Sequence, residues 1–364
     1  MLRTLALCLV ALGSRVAGAQ NAPTDELGSL RNARVALPRT AARPTLTYFA
    51  RELSDAQRRE VERIAPHVRV VAGLSREQAL ARAAEAHGAD ASYASPEFLR
   101  AARNLVWMQS FSAGVESYLA VKELADSDRV VLTNMRGVHG PAIADHVFAM
   151  LLALTRDLPV HLAGRAQGTW KPGGSGVLQP IALKGRTLLV VGLGGIGGEI
   201  ARRGRGFDMR VIGIRRGDDP APDFVERVGK PQDLLAMLPQ ADVVAIAVPL
   251  TPETTNLFDR KAFAAMKQGS YLVNVARGKV VDTPALLQAL QSGKLAGACL
   301  DVTEPEPLPR DHGLWKLPNV VITPHVSSFS ELTEERRSAL FLENLRRLDA
   351  GEPLLNVVDK KAGY

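Results

Sequence analysis

Three polar residues follow short apolar runs in the second half of the chain. Arg277 comes after Asn274-Val275-Ala276, Glu306 lies within Asp301 to Pro307, and His325 follows Ile322-Thr323-Pro324. If those runs are strands of one parallel sheet, a ligand binds beyond their carboxyl ends and meets all three side chains. A guanidinium can hold a carboxylate and polarise a carbonyl. An imidazole gives or takes a proton near neutrality, and a carboxylate beside it orients the ring and favours the imidazolium. The combination suits interconversion of a 2-keto acid and a 2-hydroxy acid. Each residue alone also reads as an ordinary loop residue: a surface arginine, a satisfied loop histidine, and at Glu304 or Glu306 a solvated turn acid. What separates the readings is a hydride carrier nearby.

The chain supplies a place for one. Thr187-Leu188-Leu189-Val190-Val191 reads as a buried strand. It runs into Gly192-Leu193-Gly194-Gly195-Ile196-Gly197, and Glu199 to Arg203 can open a helix. The first glycine permits a tight turn, the second lets the backbone approach a pyrophosphate, and the third lets helix and strand pack closely. Free N–H groups and the positive end of the helix dipole then face the anion. The next strand, Met209 to Ile214, ends on Arg215-Arg216, with Asp218 and Asp219 only later in the loop. An acid at that tip would bond a ribose 2′-OH. Two guanidiniums suit a 2′-phosphate instead, so Arg215 and Arg216 point to NADP in preference to NAD.

The elements that must position these residues alternate. Leu46 to Phe49, Val68 to Val71, Leu105 to Gln109 and Val130 to Thr133 read as strands. Helices fall between them over Ser54 to Ile64 and from a capping box at Ser75-x-x-Gln78 to about His87. A long, mostly apolar helix is expected over Gly140 to Leu158, with Pro141 in its first turn. After a polar loop over Gly168 to Gln179, the second series has strands at Thr187 to Val191, Val243 to Val248, Tyr271 to Val275, Ala296 to Leu300 and Val320 to Thr323. Its helices are Lys261 to Met266, Pro284 to Leu290 and a charged amphipathic one over Glu331 to Leu348. Alternation of this kind implies parallel sheets with crossover helices.

Composition sets bounds. With 364 residues, 46% hydrophobic and 23% charged, the chain has room for two domains of an ordinary globular protein. The formal net charge of +7 comes from scattered basic residues, without a Lys/Arg block or interleaved aromatics, which argues against nucleic acid. Met1-Leu2-Arg3, the apolar run Thr4 to Gly13 and Ala17-Gly18-Ala19 form a signal-peptide pattern with cleavage after Ala19. The run is too short to span a membrane. Cleavage would leave Cys299 as the single cysteine, with no disulfide and no cysteine metal cluster. Gln20 to Arg43 reads as a flexible arm. The leader implies export to a periplasm, whereas use of a reduced dinucleotide implies the cytoplasm.

These motifs together resemble the D-isomer-specific 2-hydroxyacid dehydrogenases, from about Thr45 to Val357. The resemblance rests on the glycine turn, Asn274-Val-Ala-Arg-Gly278, Asp301 to Pro307, Thr323-Pro-His325, and Asn134 through Gly137-Val-His-Gly-Pro141. It implies two doubly wound, Rossmann-like α/β domains with the active site in the cleft between them. Residues 45–138 and 329–364 would form the substrate domain and 139–328 the dinucleotide-binding domain. Arg277 would bind substrate, His325 would be the acid/base and Glu306 its partner. Glu306 rather than Glu304 matches, five residues after Asp301 and nineteen before His325. Asp301 would hold the nicotinamide carboxamide, with Val248, Pro249 and Ala276 also at the cofactor. Ser112, Ala113 and Gly114 would offer N–H groups to the substrate carboxylate. A homodimer through the cofactor domain is implied, with the helix from Gly140 contributing, and no metal.

Four positions depart from the family pattern: Thr303 where an aromatic is usual, Ser327-Ser328 after the histidine, and Glu116 where aspartate is common. The leading expectation is a reductase of a small 2-keto acid, such as glyoxylate or hydroxypyruvate. The alternatives are a dehydrogenase of the same fold acting on another small anion such as phosphite, and a dinucleotide-sensing binding protein without turnover.

Overall fold

The structure is a computed structural model, and it describes residues 45–170 and 180–364. The leader expected over 1–19, the arm over 20–44 and most of the polar loop before Gln179 lie outside the described residues. The first sheet contains β1 (Leu46–Ala50), β2 (Val68–Ala72), β3 (Gly88–Asp90), β4 (Trp107–Gln109) and β5 (Val131–Thr133). Its order is β2-β1-β3-β4-β5, all parallel. The second contains β6 (Thr187–Val191), β7 (Arg210–Ile214), β8 (Arg227–Gly229), β9 (Val243–Ile246), β10 (Ser270–Asn274), β11 (Leu295–Leu300) and β12 (Val320–Ile322). These run β12-β11-β10-β9-β6-β7-β8, also parallel.

Both faces of a parallel sheet are covered, so its strands are apolar throughout. β6 illustrates this. Leu189 and Val191 pack on one side with Leu272 and Phe263, while Leu188 and Val190 pack on the other with Val147, Leu151 and Ile200. The chain leaves β6 for β7 on one side and reaches β9 on the other, so the direction of winding reverses there. The crevice at such a reversal is where doubly wound sheets bind ligands. The helix Glu331–Ala350 returns to the first sheet. Its Phe341 ring lies 5.3 Å from that of Tyr48, which lies 5.0 Å from Trp107.

Several elements differ from expectation. The long helix from Gly140 ends at Thr155, and a second helix, Leu158–Ala166, leaves at 74°. Pro159 explains the break. It lacks an N–H, and its ring would collide with the carbonyl four residues earlier. Asp157 takes the left-handed conformation, φ 57°, and Pro159 then stands in the first turn of the new helix. The helix capped by Ser75 stops at Ala81 rather than near His87, and a short 3₁₀ turn follows over Ala83–Glu85. There the chain turns into β3, a strand that the pattern did not indicate. Gly88 fits because a Cβ would lie 2.5 Å from the Tyr48 ring. β8 was likewise unexpected, and β9 ends at Ile246 instead of Val248. The helix after the glycine turn opens at Gly195, four residues before Glu199.

The two sheets meet at the segment 134–140. His139 is buried, and its Nε2 accepts a hydrogen bond from Arg337 Nε at 3.2 Å. Burial, then the Arg337 charge, lower its pKa to about 4; the Met135 carbonyl opposes this, and the Arg277 charge adds to it. The ring is therefore neutral in the fold, whereas an unfolded histidine takes up its proton near pH ~6.5. The stability that His139 contributes is complete above that pH and is lost as pH falls toward about 4. Asp90 runs the opposite way, because burial raises its carboxyl to about 6. Comparison with a His139→Asn variant isolates the histidine. Urea unfolding should show wild-type stability dropping between pH 7 and 4 by up to roughly 3 kcal/mol more than that of the variant. Parallel pH profiles would refute this assignment.

Candidate active site

The glycine turn is shaped by close approach. Gly192 has φ 104°, and a Cβ there would lie 2.6 Å from the Ala247 carbonyl oxygen and 2.9 Å from Val248 Cγ1. A Cβ on Gly197 would fall 1.9 Å from the Gly192 carbonyl oxygen, so helix and turn touch through bare backbone. Gly194 is different: it has nothing within 4 Å of where a Cβ would stand. It is the N-cap of the helix Gly195–Gly206 and contributes no side-chain cap. The first N–H groups of a helix lack intrahelical partners, so those of Gly195 and Ile196 stand at an open surface with the positive end of the dipole. This cradle fits a pyrophosphate. Val248 and Pro249 follow β9 beside it.

At the tip of β7, Arg215 and Arg216 follow Ile214 directly. The backbone N–H of Arg215 donates to Gly229 O at 3.1 Å, while its Nε is buried with no hydrogen-bond partner. An acid of the same loop, Asp218, is already engaged. Asp218 pairs with the Lys230 ammonium, which also donates to Arg216 O at 3.2 Å and Gly217 O at 2.9 Å. The hydrogen bond from Lys230, then its charge, hold the Asp218 carboxyl below the usual range. An orphaned guanidinium nitrogen beside a neutralised carboxylate suits an added anion better than a ribose hydroxyl.

Arg277, Glu306 and His325 follow the carboxyl ends of the parallel strands β10, β11 and β12. His325 Nδ1 lies 2.7 Å from Glu306 Oε1. Glu304 is not its partner; its carbonyl accepts from Thr283 Oγ1 at 3.0 Å. His325 has φ 56°, in the left-handed region, a strain of order 1–3 kcal/mol for a non-glycine residue. Asp301 holds the histidine there. Its carbonyl accepts from the His325 N–H at 2.8 Å. Its carboxylate accepts from Thr323 Oγ1 at 2.7 Å, Val326 N at 3.0 Å and Ser327 N at 3.1 Å. Burial pushes the Asp301 carboxyl up, but the Ser327 and Thr323 side chains and the Val326 and Ser327 N–H groups outweigh it, leaving it below its ordinary value.

The first sheet supplies the facing wall. A Cβ on Gly114 would lie 1.8 Å from Arg277 Nη2, so only a bare backbone lets the guanidinium reach this loop. Ser112 and Ala113 are fixed through their carbonyls, which accept from Met135 N at 3.0 Å and Asn134 Nδ2 at 2.8 Å. Arg277 Nη1 donates to Ala276 O at 2.7 Å, and its Nε lies 3.3 Å from Glu116 Oε1. The carboxylate site expected at the Ser112–Gly114 loop and the expected substrate arginine are thus neighbours.

Three contributors, Asn274, Glu116 and His146, had no role in the sequence reading. Asn274 Oδ1 accepts from Ala276 N at 3.0 Å and its Nδ2 donates to Arg277 O at 3.1 Å, fixing the arginine loop. The Asn274 position was visible within the arginine motif, but without a role. Glu116 was noted only as a departure, although it is the counter-ion of Arg277. Asp301, named from the sequence for the nicotinamide, also organises the histidine loop through its carboxylate. His146 Nε2 lies 2.9 Å from Thr323 Oγ1. Since that hydroxyl donates to Asp301, the His146 Nε2 carries the proton of this contact. Only tertiary structure could bring His146 to that loop.

Comparison with known proteins gives the same picture. The family model described as "D-isomer specific 2-hydroxyacid dehydrogenase, NAD binding domain" matches residues 148–327. A glyoxylate reductase of Korarchaeum cryptofilum is 38% identical over 269 residues, covering 73% of this chain and 79% of that protein. A solved D-isomer-specific 2-hydroxyacid dehydrogenase family protein from Aeromonas salmonicida superposes with TM-score 0.74 at 36% identity, covering 88% of this chain and 100% of that one. A D-isomer-specific 2-hydroxyacid dehydrogenase from Xanthobacter autotrophicus, solved with NADPH and MES, superposes with TM-score 0.73 at 29% identity, again covering 88% and 100%.

Proposed function

The chain belongs to the D-isomer-specific 2-hydroxyacid dehydrogenase family of NAD(P)-dependent enzymes, and from that premise we propose that it reduces a small 2-keto acid, glyoxylate or hydroxypyruvate, to the D-2-hydroxy acid, with NADPH preferred over NADH. The observation that carries this reading is the His325–Glu306 pair at 2.7 Å, on the same sheet edge as the Arg277 guanidinium that meets Gly114. The dinucleotide, when bound, supplies the hydride. Arg277 and the N–H groups of the Ser112–Gly114 loop hold the keto acid's carboxylate, and Glu116 fixes the arginine's direction. His325 is anchored to Glu306 through Nδ1, so its Nε2–H is the group that donates to the carbonyl oxygen as negative charge develops there.

The substrate class follows the glyoxylate reductase likeness. The preference for NADPH is supported by the buried, partnerless Arg215 Nε and the Lys230–Asp218 pair. Oxidation of NADPH and NADH against a panel of 2-keto acids tests both. Glyoxylate or hydroxypyruvate should be reduced, with the higher kcat/KM for NADPH. Replacing Arg215 and Arg216 together by Ala should raise the KM for NADPH about tenfold or more and hardly change that for NADH. Turnover of a different small anion with neither keto acid reduced would reject the substrate, and equal losses with both cofactors would reject the preference.

The proton step has its own test. Glu306→Gln keeps the shape of the contact but removes the charge that favours the imidazolium. The alkaline limb of kcat/KM for reduction should therefore move to lower pH, while Glu304→Gln leaves it in place. His325→Ala should lower kcat by about 10²–10⁴. A shift produced by Glu304→Gln alone would assign the histidine to the other acid.

The reading includes a homodimer built on the face beside Gly140–Ala166. Leu158, Leu162 and Trp170 are 44%, 61% and 96% exposed, and the helix Leu158–Ala166 buries none of its residues within the described chain. Apolar side chains left together at a surface mark an association face. Light scattering should return the mass of two chains, and a monomer at micromolar concentration would contradict this.

A further inference from the structure

The last residues of the sequence cross from the first sheet to the cofactor side. Val357 bridges antiparallel to Thr133, and Val358 N donates to Leu132 O at 2.9 Å. Asn356 Nδ2 donates to Asn134 O at 3.1 Å and Arg136 O at 2.9 Å. Lys360 Nζ donates to Ser127 O and Val130 O, both at 2.6 Å. Asp359 then closes a turn: its Oδ1 accepts from Lys361 N and Ala362 N at 3.0 Å, and its N–H donates to Tyr364 O at 3.1 Å. Tyr364 is thus carried rigidly on the β5 edge.

Its ring lies between two arginines from opposite walls. The guanidinium carbon of Arg216, at the β7 tip, is 5.3 Å from the ring centroid, and that of Arg136 is 5.9 Å away. Arg136 precedes Gly137, whose Cα is 3.1 Å from where a Cβ on Gly195 would stand. The row Arg136–Tyr364–Arg216 therefore runs from the glycine turn to the tip where a ribose would lie. A cation–π contact uses the face of a guanidinium and leaves its N–H edge free. Glu253, tied to Thr251 Oγ1 at 2.7 Å, has its carboxyl held below the usual range chiefly by that hydrogen bond, with the Arg216 charge adding to it.

We infer that Tyr364 is a positioning residue for the 2′-phosphate of the dinucleotide: a ring carried by the first sheet holds Arg216 with its N–H edge turned to the phosphate. The inference rests on the NADPH reading. It makes the choice of cofactor depend on a residue that lies outside the dinucleotide-binding sheet and far in sequence from its motifs.

Calorimetric titration of the full chain with NADPH and NADH tests it. Tyr364→Ala should raise the Kd for NADPH about two- to fivefold, the value of one exposed cation–π contact, and change the Kd for NADH less. Tyr364→Phe, which keeps the ring face, should restore NADPH affinity, and the thermal midpoint should hold in both variants. If Tyr364→Ala weakens both cofactors equally, or Tyr364→Phe fails to rescue, the ring is not positioning Arg216 and the inference is overturned. If Tyr364→Ala has no effect while the Arg215/Arg216 double variant loses NADPH selectively, the inference fails and the cofactor reading stands. If the double variant affects both cofactors equally, the cofactor reading fails and takes the inference with it.

Discussion

The buried carboxylate of Asp301 is the interaction on which the rest of the site depends. It sits at the end of β11, 2% exposed, and is kept ionised by donors from the loop that follows β12. A buried charge is expensive unless fully hydrogen-bonded, so the loop has one conformation that satisfies it. That conformation forces His325 into a left-handed backbone. The same residue joins the neighbouring strand, because its N–H donates to Asn274 O at 3.0 Å. Asn274 in turn fixes the Arg277 loop through both ends of its amide. One acid and one amide thus set the backbone from which the histidine and the arginine project.

The second constraint is the joint between the sheets. The segment 134–140 serves both sides: Asn134 holds the Ala113 carbonyl, Gly137 lies against Gly195, and His139 receives Arg337 from the returning helix. Local changes there reach the glycine turn and the carboxylate loop together. Arg277 and Glu116 belong to opposite walls, and their 3.3 Å contact spans the cleft. This geometry lets the chemistry depend on how the two units sit, as in enzymes whose closure completes the catalytic set.

Much of this was legible because the signals are local. β6, the glycine turn and the tip of β7 are contiguous in sequence, and each carries a backbone constraint that only certain residues meet. The apolar runs of the second sheet were likewise readable, since strands buried on both faces need no alternation. The failures share a cause. β3 is only Gly88-Ala89-Asp90, chosen to fit under the Tyr48 ring rather than for strand propensity. The break at Asp157 was written in Pro159, but the apolar run around it masked the stop. The Glu306 pairing was legible only through its spacing in a family pattern, since Glu304 has the same chemistry two residues away. His146 and Tyr364 reach the site from 177 residues before Thr323 and from beyond the last helix, by contacts that no window reveals.

The distribution of charge gives the site its division of labour. The chain carries a formal +7, yet much of its basic surface is compensated locally: Arg203 by Asp145 and Glu199, Lys230 by Asp218, and Arg277 by Glu116. At the substrate end the pairing leaves a directed guanidinium rather than a diffuse positive field, so recognition there is geometric and suits a small carboxylate held in one pose. At the β7 tip the balance differs. Lys230 engages Asp218, while Arg215 keeps a buried N–H without a partner and Arg216 shares a ring with Arg136. A buried donor without a partner costs stability. The two ends of the cleft therefore differ in kind, with a paired guanidinium at Arg277 and a partnerless buried donor at the β7 tip.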